Sequence, residues 1–163
     1  MQVREVRPDE FEEAGRVTAL AYREFVQPGE TDWERYLEHI ADVAGRAGRA
    51  IVFVAVEDDR ILGSATLELE SRIDPEEDPP LAPDESHIRM LGVDPAARGR
   101  GVAKALMAAC FERARSAGRD RMTLHTTERM KPAQTMYESM GFERLPDRVF
   151  PDGFVLLTYQ RAI

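Results

Sequence analysis

Cysteine is nearly absent from this chain, which contains a single one, Cys110, among 163 residues. An internal disulfide is therefore excluded, and no Cys-x-x-Cys or His-x-x-x-His spacing predicts a metal site. Long apolar runs are also absent, since no segment approaches the roughly 20 residues of a membrane-spanning helix. The opening residues, MQVREVRPDEF, lack the apolar stretch of a secretory signal. These absences predict a cytoplasmic protein that needs neither metal nor membrane.

Positively charged side chains are fewer than negatively charged ones. The chain has 22 lysines and arginines against 30 aspartates and glutamates, a net charge of −8 at pH 7. A chain of this sign repels nucleic-acid phosphates and anionic membranes, so neither is predicted as a partner. A cationic acceptor is mildly favoured. The length fits one domain over residues 1–163, long enough to bury roughly 70% of its unfolded surface.

The apolar pattern switches between helix and strand periodicity along the chain. It predicts the order β-α-α-β-β-β-α-β-α-β-β, without internal repeats. Residues 50–57, AIVFVAVE, are typical of a strand that is buried on both faces. Residues 74–85 contain four prolines and six acidic residues, which predicts a loop. One hypothesis is that this acidic loop attracts a cationic amine.

A glycine-rich segment between a predicted strand and a predicted helix is the best candidate for a ligand site. Glycine permits positive φ, and free amides at the start of a helix form a nest for anions. Together with the basic side chains, this predicts a pyrophosphate site. The alternative is an ordinary turn with solvated arginines. The segment consists of Arg98, Gly99, Arg100, Gly101, Val102, Ala103 and Lys104.

Nucleotide ligands fit this segment poorly. No Walker loop, G-x-x-x-x-G-K-[ST], occurs in the sequence. A dinucleotide fingerprint needs a third small residue where Lys104 stands, and it belongs near the start of a βαβ unit. The ligand is therefore expected to carry a pyrophosphate without being ATP or NAD.

Two motifs in register resemble those of the GCN5-related N-acetyltransferase (GNAT) family. Arg98-x-x-Gly101-x-Ala103 is similar to the family's R/Q-x-x-G-x-G/A element, and HIRMLGVDP resembles the strand before it. Downstream, the sequence AQTMYESMGF, residues 133–142, resembles the A-x-x-x-Y-E-x-x-G-F signature. The predicted element order agrees over essentially the whole chain. The resemblance implies an α+β fold of three α/β/α layers, with a mixed, mostly antiparallel central sheet of about six to seven strands and four flanking helices.

The resemblance further implies an acetyl-CoA-dependent N-acyltransferase. Such an enzyme moves the acetyl group to a primary amine by direct attack in a ternary complex. Acetyl-CoA, the co-substrate, is expected between the strands at 87–94 and 121–127. The expected donor contacts are Leu91, Gly92 and Val93 for the pantetheine arm and residues 98–104 for the pyrophosphate. The identity of the acceptor amine and the formation of a homodimer are left open.

Tyr137 is the catalytic residue that the resemblance implies most directly. In the family this tyrosine donates a proton or a hydrogen bond to the departing thiolate, and a phenol with a pKa of about 10 is protonated at pH 7. The alternative is a core aromatic at helical spacing from Ala133 and Met140. Cys110 has no basic neighbour in sequence and is expected to be a buried structural thiol.

The general base is open between several residues. His87 stands where some family members have a glutamate, and its unperturbed pKa of about 6.5 suits proton removal near neutrality. Glu85 shares the same face if the strand extends that far. Glu68 and Glu70 on the neighbouring predicted strand are further candidates. The alternative for His87 is a structural histidine at the edge of a strand.

The sequence departs from the family pattern at Met130, where an asparagine often contacts the CoA arm. Thr126 or Thr127 would then make that contact. By family analogy the first two helices shape the acceptor pocket, and three aromatic residues there are either its wall or core: Phe25, Trp33 and Tyr36. Two rival interpretations are a non-catalytic acyl-CoA-binding or sensor domain of the same fold and a nucleotide-binding domain.

Overall fold

The computed structural model describes residues 1–76 and 78–163. Glu77, one of the acidic residues of the 74–85 loop, lies outside the described residues. The strands are β1 (Gln2–Glu5), β2 (Ile51–Glu57), β3 (Arg60–Glu68), β4 (Glu85–Val93), β5 (Arg121–Thr126), β6 (Glu143–Arg144), β7 (Arg148–Val149) and β8 (Val155–Ala162). The helices are α1 (Phe11–Arg23), α2 (Thr31–Ala41), α3 (Val43–Ala47), α4 (Val102–Ser116) and α5 (Lys131–Ser139).

The strands form one mixed sheet in the order β1-β2-β3-β4-β5-β8-β6, and β7 pairs with β8. Among the described strands only β4 and β5 run parallel, and the other pairs are antiparallel. The mostly antiparallel sheet with flanking helices confirms the predicted fold class.

Two details differ from the prediction. The described sheet has eight strands rather than six to seven. The penultimate strand is interrupted by Pro146, which cannot donate a ladder hydrogen bond, and becomes the two short strands β6 and β7. The described helices number five rather than four, because Asp42 leaves the helical conformation with ψ 74° and its carboxylate accepts a hydrogen bond from the Gly45 amide at 2.8 Å.

The sheet has one apolar and one polar face. The apolar face packs against α4 and α5 in the largest core cluster, where Leu106, Cys110 and Leu67 are fully buried. On the opposite face, polar side chains recur at every second residue of the central strands. Those that are buried include Ser64, Thr66, Glu68, His87 and Thr123.

An extra residue in β4 shapes the centre of the sheet. Thr66 of β3 pairs with Arg89, but Ser64 pairs with Gly92, so three steps along β4 match two along β3. Met90, inside this bulge, has φ +54°. Bulges bend a strand and increase its local twist. On the other side of β4, the parallel pairing with β5 ends at Ile88 and Leu124. The two strands therefore separate near the middle of the sheet.

Among residues 1–76 and 78–163, no helix combines the length and apolarity that crossing a membrane requires.

Close packing of α1 against the end of α2 depends on Gly15. A Cβ atom at this position would lie 2.0 Å from the carbonyl oxygen of Ala41 and 2.8 Å from its carbon. Because both are backbone atoms, Gly15→Ala must displace one helix, and we expect a loss of about 1–3 kcal/mol in the free energy of unfolding, measured by urea denaturation.

The control is Gly48→Ala. This glycine has φ −79° and no atom within 4 Å of the added Cβ. Its substitution should leave stability unchanged or raise it by up to about 1 kcal/mol. Equal stability of the two variants would contradict the helix contact described here.

Candidate active site

The separation of β4 and β5 creates an opening at the centre of the sheet. Beyond Ile88, the edge of β4 that faces β5 has no strand partner among the described residues. Leu91 and Val93 on this edge are half-buried, whereas Gly92 lies under α1, where an added Cβ would be 3.1 Å from the Cβ of Ala21. Such an edge offers backbone donors and acceptors to an extended ligand that carries amide groups.

The glycine-rich segment 98–104 follows β4 and starts α4. Gly99 and Gly101 have φ +74° and +79°, a conformation that favours glycine. Gly101 is the N-cap, and the amide of Ala105 donates to its carbonyl at 3.0 Å. The amides at the start of the helix before Ala105 have no acceptor within the helix, and the positive end of its dipole lies there. The predicted anion nest is therefore present in the backbone.

The side chains of this segment have different roles. Val102 is buried in the apolar core, so its amide rather than its side chain is available to a ligand. Arg98 forms an ion pair with Glu24 at 2.6 Å, and Arg100 pairs with Glu57. Both guanidinium groups are nearly half exposed, so these pairs contribute little to stability and can open at small cost. Lys104 is exposed at the start of α4.

Two threonines at the end of β5 have buried hydroxyls without a hydrogen-bond partner among the described residues. They are Thr126, the last residue of β5, and Thr127, the residue after it, and both lie beyond Leu124, where the pairing with β4 ends. A buried polar atom without a partner is costly, so such atoms commonly mark a ligand contact or an ordered water. Met130, in the position where the family often has asparagine, is buried. These observations fit a donor contact through the threonines.

Tyr137 lies on α5, in the apolar core. Its ring is 5.8 Å from that of Phe142 and 6.0 Å from that of Tyr159. Among the described residues its hydroxyl has no hydrogen-bond partner, whereas the hydroxyl of Tyr159 donates to Glu138 at 3.2 Å. Burial raises the pKa of Tyr137, so the phenol remains protonated at neutral pH. Core packing and proton donation are thus compatible.

His87 and Glu85 come together on the polar face of the sheet. The Nδ1 atom of His87 lies 2.7 Å from the Oγ1 of Thr123, and this hydroxyl donates to a carboxylate oxygen of Glu85 at 2.7 Å. The ring of His125 is 4.8 Å from that of His87. His125 lies just beyond the last β4–β5 pair and is half-buried. It is therefore the member of the pair nearer the opening.

Both imidazoles favour the neutral form. Burial, followed by the neighbouring His125, Arg72 and Arg89, holds the pKa of His87 well below its usual 6.5. Burial likewise lowers the pKa of His125 to about 4. A neutral imidazole has one nitrogen with a free lone pair at pH 7, and the lowered pKa makes each ring a weaker base than a free histidine.

The other two carboxylates considered as bases are placed differently. Glu68 is fully buried, and Arg72 at 2.9 Å and the amide of Ile73 at 2.7 Å occupy its oxygens. Glu70 lies outside β3, with its side chain 82% exposed and paired with Arg119. Neither is placed beside the opening as a free base.

The acidic loop folds back onto the sheet. Asp74 pairs with Arg89 at 2.9 Å, and Asp78 pairs with Arg89 at 3.0 Å and Arg148 at 2.6 Å. The hypothesis that this loop attracts a cationic amine is therefore disfavoured for these two aspartates, because their charges are already compensated.

A cavity of about 260 Å³ adjoins the end of β5. Trp33 at the start of α2 and Phe154 before β8 both line it and are in edge-to-face contact with each other, with ring centroids 6.3 Å apart. Glu30 at its rim is paired with Arg129 at 2.7 Å. Of the predicted aromatic wall, Trp33 lines the cavity, and Tyr36 packs behind it at 5.7 Å. The full lining is Glu30, Trp33, Thr127, Glu128, Arg129, Gly153, Phe154 and Val155.

Sequence reasoning missed the contributions of Thr123 and Phe154. The alternation of β5, RMTLHT, places Thr123 and His125 on one face, but the parallel register that sets Thr123 beside His87 is not visible in the sequence. Phe154 follows a proline- and glycine-containing turn, and nothing in the sequence pattern ties it to Trp33.

Comparison with known proteins agrees with this geometry. The model of the Acetyltransferase (GNAT) family matches residues 14–142, and the chain belongs to this family. The Mus musculus protein named "Probable N-acetyltransferase family 8 member 5" is 40% identical over 70 residues, which are 43% of this chain and 31% of that protein. The chain matches less than half the length of each of its curated relatives.

Solved structures share the fold over nearly the whole chain. An acetyltransferase of the GNAT family from Staphylococcus aureus Mu50 has a TM-score of 0.73 at 19% identity and covers 99% of this chain and 98% of its own. The yncA structure from Salmonella typhimurium, which contains its cofactor acetyl-CoA, has a TM-score of 0.70 at 17% identity and covers 99% and 93%. At sequence identities this low, the similarity of the structures shows a shared fold.

The neutral histidine pair predicts a specific loss of stability in mild acid. Their pKa values are lower in the folded protein than the usual 6.5, so the unfolded chain binds more protons below that pH. The stability that the neutral imidazoles contribute is complete above about pH 6.5. For His125 it is lost as the pH falls toward about 4. Urea unfolding at pH 7 and pH 5 should differ by about 2 kcal/mol from His125, and His87 adds a loss in the same direction.

Ion-paired carboxylates lose their contribution to stability at a lower pH than these histidines do. The pKa of Glu10, for example, is lowered from 4.5 to about 2 by Arg4. A His87→Gln, His125→Gln double variant should therefore show a nearly flat profile between pH 5 and 7. A slope equal to that of the wild type would contradict the burial of two neutral imidazoles.

Proposed function

We propose that this protein is an N-acetyltransferase that moves the acetyl group of acetyl-CoA to a primary amine by direct attack in a ternary complex. The observation that carries the proposal is the opening between β4 and β5, directly beside the amide nest of α4. Membership of the GNAT family supports acetyl-CoA as the co-substrate that fits this arrangement.

The donor would be held by backbone more than by side chains. The unpaired edge of β4 at residues 91–93 suits the amides of the pantetheine arm, and the amides of residues 99–104 suit the pyrophosphate. Arg98 and Arg100 would exchange their glutamate partners for phosphate oxygens or share them, and Lys104 adds a third cation at the same end of α4.

The chemistry needs one base and one acid. The nitrogen of the neutral acceptor attacks the thioester carbonyl, a C–N bond forms and the C–S bond breaks. The surplus proton of the nitrogen passes to His87, and the hydroxyl of Tyr137 donates to the departing sulfur. An acyl-enzyme on Cys110 is disfavoured, because that thiol is fully buried and burial raises its pKa.

We place the acceptor in the cavity that Trp33 and Phe154 line together, which adjoins the end of β5. Its aromatic walls favour an amine attached to an apolar body. The charges of Glu30 and Arg129 compensate each other at the rim, so a strongly charged acceptor gains little there. The single buried cysteine fits a reducing cytoplasm, and a homodimer remains a prediction.

Donor binding is tested first, by thermal unfolding with acetyl-CoA, CoA, ATP and NAD in parallel. A ligand at a hundredfold excess over its Kd adds about 2.7 kcal/mol, which raises Tm by roughly 5–10 °C for a domain of this size. We expect this rise with acetyl-CoA and CoA. A rise with ATP or NAD alone would support a nucleotide-binding domain instead.

A matched pair of glycine variants locates the site. Gly101→Ala strains the nest, and we expect acetyl-CoA to bind at least tenfold more weakly. Gly118, at the other end of α4, has a similar positive φ of +73° and the same open surroundings. Gly118→Ala should therefore cost comparable stability while retaining the acetyl-CoA shift. Loss of the shift in both variants would mean that the effect comes from strain alone.

The variant Tyr137→Phe tests whether the Tyr137 hydroxyl is the general acid. We expect kcat to fall by about 10²–10⁴ with the Kd for acetyl-CoA unchanged, because only the hydroxyl is lost. Tyr159→Phe is the control, since it removes a neighbouring phenol that is bonded to Glu138. Steady-state kinetics on an amine panel gives kcat, and the dependence of Tm on acetyl-CoA concentration gives Kd. Tight CoA binding without turnover of any amine by the wild type would favour the sensor interpretation.

A further inference from the structure

A chain of three polar groups on the buried face of the sheet ends at His87. Glu85 and His87 lie two residues apart on β4, and Thr123 is the direct neighbour of His87 on β5. The hydroxyl of Thr123 lies 2.7 Å from Glu85 Oε1 and 2.7 Å from His87 Nδ1. Both His87 and Thr123 are less than 5% exposed, so solvent does not compete for these bonds.

The direction of these bonds follows from proton counting. A threonine hydroxyl has one proton and can accept further bonds, whereas an ionised carboxylate only accepts. Arg72 at 3.5 Å and Arg121 at 3.7 Å compensate the carboxylate of Glu85, and the Ala82 amide donates to it at 3.1 Å. Thr123 must therefore donate toward Glu85. The remaining bond can form only if Nδ1 of His87 bears hydrogen and donates to Thr123.

The reverse orientation is disfavoured on the same grounds. If Thr123 donated to His87, its oxygen and the carboxylate oxygen of Glu85 would face each other at 2.7 Å with no proton between them. Two buried acceptors in contact lose a hydrogen bond and repel each other. The carbonyl of Ser86, at 3.3 Å from the hydroxyl, is a more distant second acceptor that does not change this result.

We propose that Thr123 and Glu85 are positioning residues that fix His87 in the Nδ1–H tautomer and leave its Nε2 lone pair free to take the proton of the acceptor amine. This inference rests on the proposed function only in giving His87 the role of base. Glu85 thereby changes from a candidate base into the residue that orients the base through Thr123.

The charges around His87 act in opposite directions, since the arginines disfavour an imidazolium and keep the resting ring neutral, whereas nearby carboxylates favour it. Arg72 and Arg89 face the ring from the loop and from β4, the neutral His125 faces it from β5, and the carboxylates of Glu68 and Glu85 complete the surroundings. When Nε2 takes the proton, the resulting imidazolium keeps its Nδ1–H bond to Thr123. The negative charge of Glu85 then stabilises the cation through the hydroxyl.

The first readout is the tautomer itself, measured on the full chain with ¹⁵N-labelled histidine. Long-range ¹H–¹⁵N correlation spectra at pH 7.5 distinguish the protonated from the unprotonated ring nitrogen, and His87→Gln assigns the signals. We expect hydrogen on Nδ1 of His87 in the wild type. In Thr123→Val, which removes the hydroxyl at nearly constant volume, we expect the other tautomer or a mixture. Hydrogen on Nε2 in the wild type would overturn the proposal whether or not an acceptor is known.

The second readout is catalysis. Thr123→Val should lower kcat by about 10- to 100-fold with the Kd for acetyl-CoA unchanged, and Thr123→Ser, which restores the hydroxyl, should recover most of the loss. In the His87→Gln background, Thr123→Val should add no further loss, because the hydroxyl acts through that imidazole. Unchanged kcat in Thr123→Val, or no recovery with serine, would overturn the positioning role.

Thr158→Val is the matched control. The hydroxyl of Thr158 lies 3.2 Å from the Nδ1 of His125, one strand further along the same face. We expect near-normal kcat in this variant. Loss of activity here with normal activity in Thr123→Val would move the role of base to His125 and overturn the proposal. Failure of the wild type to acetylate any amine would count against the proposed function alone, since the tautomer is measured without turnover.

Discussion

The site depends on the parting of two parallel strands. A bulge at Met90 adds one residue to β4 relative to β3, and the pairing of β4 with β5 stops at Ile88 and Leu124. Backbone groups that would otherwise be consumed inside the sheet become available at its centre. The unpaired edge at residues 91–93 and the amide nest at the start of α4 follow each other closely along the sequence.

The polar face of the sheet buries ionisable side chains, and contacts close to each of them compensate the loss of hydration. Glu68, His87 and Arg89 are brought under α1–α3 and the acidic loop, where uncompensated charges would destabilise the protein by several kcal/mol each. Arginine–carboxylate pairs and neutral imidazoles provide this compensation. Asp74 and Asp78 of the acidic loop are therefore part of the ion-pair network around Arg89 on the face of the candidate base.

The sequence was sufficient for the fold class and for the backbone conformation of residues 98–104, because both depend on local signals. Gly99, Gly101 and the flanking arginines form a contiguous motif, and its backbone conformation follows from the residue types. The surroundings of the base were not predictable in the same way. Thr123 meets His87 only through a parallel register set by long-range packing. The division of the penultimate strand at Pro146 was visible in the sequence and was overlooked.

The burial of Cys110 has a practical consequence for anyone who studies this chemistry. It is the only cysteine of the chain and is fully enclosed between α4 and the sheet. A thiol-specific reagent added to the folded protein will therefore find no sulfhydryl to modify on its surface. The free CoA that a transfer reaction liberates would be the only reactive thiol in the vessel, and its appearance could be followed continuously by colour without a background from the enzyme.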